Sequence, residues 1–358
     1  MDRLHIAFFG PANSGKSTLV NALCGQEVSL VSPVPGTTTD PVRKTVELPG
    51  LGACVLIDTA GLDDASLLGP ERRRRTLAVL DETDIAVVME PSDNPDAPTV
   101  IPDLIGDFPA VVYKRGESIE SLLERLRAVA PKQEERFLTG DLVKAGDCVL
   151  LVMPQDSEAP KGRLILPQVQ VLRELLDRGC NPICCTPESL SSALSKVTPD
   201  LVITDSQVFG QVNQALPPEM PLTSFSVLLA GAKGDIRTFV EGAAAIDKLN
   251  SGDRVLIAEA CTHVPDTEDI GRVKIPSLLR KKADIQVDIA AGNDFPEDLS
   301  PYSLIIHCGA CVATRTLVQA RIKKALREGV PITNYGIAIA KLQGILDRIS
   351  LQIPKQSS

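Results

Sequence analysis

An α/β chain with three sheets in series is what this sequence predicts, and three observations carry that expectation. His5–Phe9 reads as a buried strand and runs straight into Gly10-Pro11-Ala12-Asn13-Ser14-Gly15-Lys16-Ser17, after which Thr18–Leu23 reads as a helix. Beyond Pro131, strand-like and helix-like runs alternate, the pattern of parallel sheets. Those last two thirds also hold a weak internal repeat. Gly146–Leu151 is echoed by Gly252–Ile257, Leu201–Ile203 by Leu304–Ile306, and Pro221–Phe225 by Pro331–Tyr335, in the same order. The expected architecture is a P-loop GTPase-like domain over residues 1–131 that lacks one βα unit, followed by two doubly wound parallel-sheet domains, 132–245 and 246–358.

The first element carries chemistry. Residues 10–17 fit G-x-x-x-x-G-K-[ST] between a strand and a helix, the context a phosphate loop requires. Backbone N–H groups and the helix N-terminus would hold phosphate charge through Gly10, Asn13, Ser14, Gly15, Lys16, Ser17 and Thr18. Lys16 reaches the outer phosphates, and the Ser17 hydroxyl is a Mg²⁺ ligand. Pro35–Asp40 (PGTTTD) resembles a switch I segment, with Thr38 as a second Mg²⁺ ligand. Val55–Gly61 reads as a strand ending in DTAG, as in switch II of GTPases. Asp58 would hold Mg²⁺ through water, and Gly61 would offer its N–H to a γ-phosphate. The expected catalytic set is therefore Lys16, Thr38, Asp58 and Gly61, acting on GTP. Leu62 stands where Ras-like proteins place a water-orienting Gln. Asn13, with GTT downstream, resembles the potassium-dependent GTPases, which implies K⁺ as a further cofactor.

The base-reading part is missing. Thr83–Met89 is the strand after switch II, and the stretch Glu90–Pro109 is rich in Pro and Asp and reads as loop. Ala110–Tyr113 is the next strand. Tyr113–Glu117 (YKRGE) can be read as a decayed N-K-x-D. The preferred alignment takes GESIESLLERLRAVAP as the start of the final helix and Tyr113-Lys114-Arg115 as a decayed S-A-K loop, so that the N-K-x-D strand is absent. Either way no Asp is placed to read guanine.

In the second part, Asp147–Met153, Asn181–Cys185 and Asp200–Thr204 read as strands and Gln168–Arg178 as a helix. Each of Pro221–Phe225 and Pro331–Tyr335 is expected to be followed by an apolar strand. Cys184 and Cys185 are adjacent strand cysteines, more often core and cover than ligands.

Cysteine and histidine are scarce, yet they crowd into two short stretches. The chain has three His and nine Cys, and Cys261-Thr262-His263 with His307-Cys308-Gly309-Ala310-Cys311 hold five of these twelve residues. The C-x-H…H-C-x-x-C pattern offers thiolates and imidazoles to a soft metal or an iron–sulfur cluster. Spacing alone leaves open a cluster, a structural zinc ion, a redox pair and buried unliganded thiols. Both groups follow strands, Val255–Ala258 and Ser303–Ile306, so both lie beyond strand carboxyl ends, where open parallel sheets bind ligands. A helix expected over Arg315–Arg327 would point its N-terminus at the thiolates. The corresponding places in the middle domain hold Gln155 and Asp205, so only one half would bind metal.

The runs PGTTTDPVRKTVELPG, LIDTAGLDD, GRLILPQVQ, LIAEACTH, DIGRVKIP and HCGAC resemble the [FeFe]-hydrogenase maturation GTPases of the HydF family, and the likeness covers most of the chain. The resemblance implies a [4Fe–4S] cluster on Cys261, Cys308 and Cys311 with one iron open or weakly ligated; His263 and His307 compete for that fourth position. It also implies a diiron precursor carried for delivery to apo-[FeFe]-hydrogenase, radical-SAM maturases as donors, dimerisation through the middle domain, and a slow, K⁺-stimulated GTPase switch. The alternative is a nucleotide-switch GTPase with a structural zinc site. A redox enzyme using the cluster for electron transfer is a third reading, but no G-x-G-x-x-G follows a strand.

Composition is compatible with this. An apolar content of 44% supports real cores, filled by aliphatic residues because aromatics are only 3% and Trp is absent. A net charge of −9 argues against nucleic acid as the main partner. Because the chain opens on a core strand, no signal peptide is expected, and no apolar run reaches transmembrane length. Nine cysteines without a disulfide-like framework suit a reducing cytoplasm.

Overall fold

The computed structural model describes residues 3–25, 41–61, 76, 78–90, 108–131, 137–155, 162–260, 269–292, 294–311 and 313–351. The chain divides into two compact units, Met1–Glu134 and Glu135–Ser358.

The first unit is built on β1 (Leu4–Phe9), α1 (Lys16–Cys24), β2 (Val42–Leu48), β3 (Gly52–Asp58), β4 (Ile85–Met89), β5 (Ala110–Tyr113) and α2 (Ile119–Val129). The strand order is β2-β3-β1-β4-β5, with β2 antiparallel to β3 and the other pairs parallel. Both faces of β1 are covered. Leu4, Ile6 and Phe8 join one core with α1 and α2, while Ala7 and Phe9 join a second with Val79 and Ile57. That explains the unbroken apolar run, which a central parallel strand needs and a half-exposed strand does not. β5 lies directly against β4, pairing Met89 with Tyr113. Five strands among the described residues agree with a domain short of one βα unit.

The second unit holds two sheets. The first uses β6 (Cys148–Val152), β7 (Asn181–Cys185), β8 (Leu201–Thr204) and β9 (Leu222–Ser224); the second uses β10 (Arg254–Glu259), β11 (Gln286–Ala291), β12 (Leu304–His307) and β13 (Ile332–Asn334). Their orders are β7-β6-β8-β9 and β11-β10-β12-β13, and every pair is parallel. The two sheets thus have one topology, as the repeat implies. The chain leaves β10 for β11 on one side and returns to β12 on the other. That reversal opens a crevice at the carboxyl ends of β10 and β12.

The helices of this unit are α3 (Leu166–Asp177), α4 (Leu190–Leu194), α5 (Phe209–Ala215), α6 (Phe225–Lys233), α7 (Ile236–Ala243), α8 (Ile275–Arg280), α9 (Arg315–Arg327) and α10 (Tyr335–Leu342). α6 and α10 correct an expectation: the apolar runs after Ser224 and Asn334 are helices, not strands. Ser224 caps α6 by accepting from the Val227 N–H, and Asn334 caps α10 by accepting from the Gly336 N–H. Both helices are buried nearly all round, which erases the 3.6-residue pattern that would have marked them.

The two sheets share one core, in which Val152 and Val202 belong to the same cluster as Val255, Ile305 and Ile332. α7 is the seam. Its Gly242 packs so closely that an added Cβ would stand 2.0 Å from the Ile332 carbonyl oxygen, and the Thr333 hydroxyl donates to the Phe239 carbonyl at 2.7 Å. No helix among the described residues is long and apolar enough to cross a membrane.

Candidate functional site

The phosphate loop occupies the turn between β1 and α1. Asn13 and Gly15 both have left-handed backbone, at φ 60° and 93°, a geometry that Gly enters freely and Asn better than most residues. Lys16 is buried, and its Nζ donates to the carbonyls of Gly10 at 3.1 Å and Pro11 at 2.7 Å. Ser17 donates its hydroxyl to Asp58 Oδ2 at 2.6 Å. Asp58 Oδ1 is buried without a hydrogen-bond partner. Burial pushes the Asp58 carboxyl up, against the pull of the Ser17 hydroxyl and of the Lys16 and Lys44 charges. A buried carboxylate with an unmatched oxygen beside a serine hydroxyl fits a hard divalent cation, so the residues present suit Mg²⁺. Gly61 approaches the loop so closely that a Cβ there would lie 2.6 Å from the Ala12 nitrogen. Ser14 and Thr18 take their expected places on the loop and in α1. Thr38 and Leu62 lie outside the described residues.

The turn after β5 has no base-reading carboxylate. Gly116 stands at the fourth position of Tyr113-Lys114-Arg115-Gly116. The next acid, Glu117, is engaged elsewhere: Arg125 donates to both its oxygens at 2.8 and 2.9 Å, and Ser121 Oγ at 2.7 Å. Burial alone would raise its carboxyl, but the hydrogen bonds from Ser121, the Lys114 N–H and Arg125 hold it below its ordinary value.

The cysteine loop lies at the crevice of the second sheet of unit two. Cys308 follows β12, and its N–H continues the ladder to the Ala258 carbonyl at 2.9 Å. Two backbone N–H groups are directed at its sulfur, from Ala260 at 3.1 Å and Ala310 at 3.4 Å. Such donors favour a thiolate, or a sulfur bound in an anionic cluster. Ala310 is left-handed, at φ 51°, and buried. α9 begins just beyond, capped by the Thr314 hydroxyl, which accepts from the Leu317 N–H at 3.2 Å. Cys311 lies on the same loop, partly exposed. Among the described residues no group of three Cys, His, Asp or Glu converges on one point; Cys261 and His263 lie outside those residues.

His307 is placed for another task. It is fully buried, with Nδ1 2.8 Å from the Cys308 carbonyl and Nε2 3.1 Å from Arg321 Nη1. Arg321 can only donate, so Nε2 accepts and Nδ1–H donates, which engages both ring nitrogens. Burial, then the Arg321 charge, depress its pKa to about 3. In this arrangement both ring nitrogens are engaged within the protein, and His307 braces the end of β12.

Sequence reading missed the supports. Arg321 also donates to the Glu259 carbonyl at 3.3 Å and to the Gly292 carbonyl, and its guanidinium lies 4.8 Å from the Phe295 ring centroid. It falls on the stripe Leu317, Val318, Ile322 and Ala325 that α9 buries; a charge on an apolar stripe was the available signal. Buried Glu259, at the end of β10, receives Arg272 Nη2 at 2.8 Å and Nε at 3.2 Å. This side-on pair joins the chain just before Cys261 to the chain just after residue 268. The Cys184 and Cys185 pair sits on edge strand β7, where burial pushes the Cys185 thiol up to about 11.

Comparison with known proteins follows this division of the chain. Residues 237–353 match the hydrogen maturase F tetramerization domain, residues 138–234 the hydrogen maturase F dimerization domain, and residues 5–114 the 50S ribosome-binding GTPase family. The chain is similar to the tRNA modification GTPase MnmE of Xanthomonas euvesicatoria pv. vesicatoria, 35% identical over 154 residues, which is 36% of this chain and 34% of that protein. It is also similar to MnmE of Xylella fastidiosa, 40% identical over 114 residues, covering 31% of this chain and 25% of that one. The chain therefore spans about a third or less of the length of these curated relatives. A crystal structure of Era in complex with MgGDPNP and nucleotides of 16S ribosomal RNA aligns with 52% of this chain and 94% of its own, at 17% identity and a TM-score of 0.34. With the hydrogen maturase F dimerization and tetramerization domains in tandem behind a GTPase domain, the chain belongs to the hydrogen maturase F family.

Proposed function

We propose that this protein is a scaffold and carrier in [FeFe]-hydrogenase maturation. It binds a [4Fe–4S] cluster and delivers a diiron precursor to apo-[FeFe]-hydrogenase, with radical-SAM maturases as donors and the GTPase domain as a switch on partner binding. The observation that supports cluster binding is the Cys308 sulfur, which receives two backbone N–H groups at the switch point of a parallel sheet.

In this reading Cys308 and Cys311 supply two thiolates from one loop and Cys261 the third. His263 is the remaining imidazole candidate for the fourth iron. The cluster, when bound, supplies an iron with a replaceable ligand on which the diiron cargo can be held. The chain's own residues do the rest: Glu259 and Arg272 tether the ends of the Cys261 segment, and Arg321 with His307 fixes the end of β12. In the first unit, Lys16 and the loop N–H groups bind the phosphates, while Ser17, Asp58 and Thr38 take Mg²⁺. K⁺ at Asn13 supports slow hydrolysis. The homodimer forms through the middle domain, 132–245, and the cluster sits in 246–358.

Anaerobic reconstitution with iron and sulfide, read by metal analysis and EPR, tests this. Cys261→Ala, Cys308→Ala and Cys311→Ala each lose the cluster, because two thiolates hold iron poorly, whereas His307→Ala retains it. Stoichiometric zinc with no iron uptake would establish the structural-zinc alternative. Full cluster occupancy in Cys308→Ala would sink the assignment.

A further inference from the structure

The Cys308–Cys311 loop is held from outside its own sheet. Lys233, the last residue of α6, is buried, and its Nζ donates to three carbonyls of the loop: Ala313 at 2.8 Å, Ala310 at 2.9 Å and Cys311 at 3.3 Å. An ammonium carries three N–H donors, and this one reaches three carbonyls of a single loop. The Lys233 carbonyl in turn accepts from Gln319 Nε2 of α9 at 3.3 Å, so the residue ties α6, the loop and α9 together.

This grip has two consequences. With the carbonyls of residues 310, 311 and 313 turned to the lysine, the Ala310 N–H is left directed at the Cys308 sulfur. Ala310 must also stay left-handed, which an alanine does not do unaided. A buried ammonium bound to this loop also adds positive charge close to whatever the two thiolates hold, in surroundings that screen it weakly. Lys233 belongs to the stretch that matches the dimerization domain, whereas the cysteines belong to the tetramerization domain. The site is thus incomplete without its neighbouring half.

We propose that Lys233 is the positioning residue of the cysteine loop, holding the left-handed turn that presents Cys308 and Cys311 and stabilising the anionic form of the bound group. The inference rests on the reading of these cysteines as cluster ligands. It predicts that removing the ammonium loosens the loop and makes the cluster harder to reduce.

The test compares wild type, K233R, K233M and A310G/K233M after anaerobic reconstitution with ferrous iron and sulfide. Iron content, EPR line shape and midpoint potential are measured, and far-UV circular dichroism checks the fold. K233R stays near wild type. K233M holds iron about tenfold less tightly, the usual effect of losing an outer-shell partner, and what cluster remains has a more negative midpoint potential. Glycine adopts the left-handed geometry without steric cost, so the double variant recovers iron while the potential stays negative. The double variant also decides the matter where K233M alone does not fold. A folded neutral variant with wild-type iron at the wild-type potential would overturn the proposal. A wild-type protein that takes up no iron would overturn the cluster reading as well, and the two failures are thereby told apart.

Discussion

Burial keeps the His307 imidazole neutral and moves its pKa from 6.5 to about 3. In the unfolded chain the ring takes a proton below about 6.5, so the unfolded state is favoured through the window between the two values. The stability tied to this group is complete above about pH 6.5 and is lost as pH falls towards 3, at a limiting slope of ~1.4 kcal/mol per unit. Urea unfolding of the iron-free protein at pH 6.5 and 5 should show a loss that His307→Gln reduces by about 2 kcal/mol. An unchanged pH dependence in that variant would mean that the ring is solvated. The motif H-C-x-x-C was legible in sequence, but the division of labour within it was not. Two adjacent residues of equal ligand potential look alike in sequence. Only the packing of Arg321 against one of them assigns it a structural task.

Among the elements, the repeat was readable because each half must bury its central strands on both faces, and that leaves aliphatic runs in the same order. The helices after Ser224 and Asn334 were not, since a helix buried on all sides carries no polar stripe; their caps, a Ser and an Asn, were the surviving sign. The close packing of α7 on β13 was likewise hidden in one glycine. Gly242→Ala places a Cβ 2.0 Å from the Ile332 oxygen, backbone that cannot yield as a side chain would. The variant should lose about 1–3 kcal/mol or more in chemical denaturation of the second unit. β5 gives a prediction of a different kind. With Gly116 where an Asp would read guanine, and Glu117 bound to Arg125, no carboxylate faces the base at this strand end. Phosphate and Mg²⁺ contacts cannot tell bases apart, and discrimination requires a polar group that the wrong base leaves unpaired. Competition of Mg-ATP against Mg-GTP with K⁺ present should therefore show less than about a hundredfold preference, ~2.7 kcal/mol. A larger value would reveal a base-reading group elsewhere in the chain.

Across the whole molecule, the described residues of each site belong to one compact unit. Every described group of the phosphate loop and its Mg²⁺-suited pair, from Gly10 to Lys16, Ser17, Asp58 and Gly61, belongs to residues 1–134. Cys308, Cys311 and all their described supports, from Lys233 to Arg321, belong to residues 135–358. Substitutions at separate sites that share no partner act additively. Lys16→Ala should thus abolish nucleotide binding, because it removes the charge that meets the outer phosphates, and leave iron content after reconstitution at the wild-type level. Cys308→Ala should do the reverse, with nucleotide titrations unchanged. The switch reading places coupling at a later stage, in the handling of partners, where both units face a third protein. Lys16→Ala protein with a full cluster should then activate apo-hydrogenase more slowly than wild type loaded to the same degree. Equal activation by the two at matched loading would leave the GTPase domain without a part in transfer. A drop in iron content in Lys16→Ala would instead show that nucleotide binding acts on the cysteine site directly, and that the two units communicate before any partner arrives.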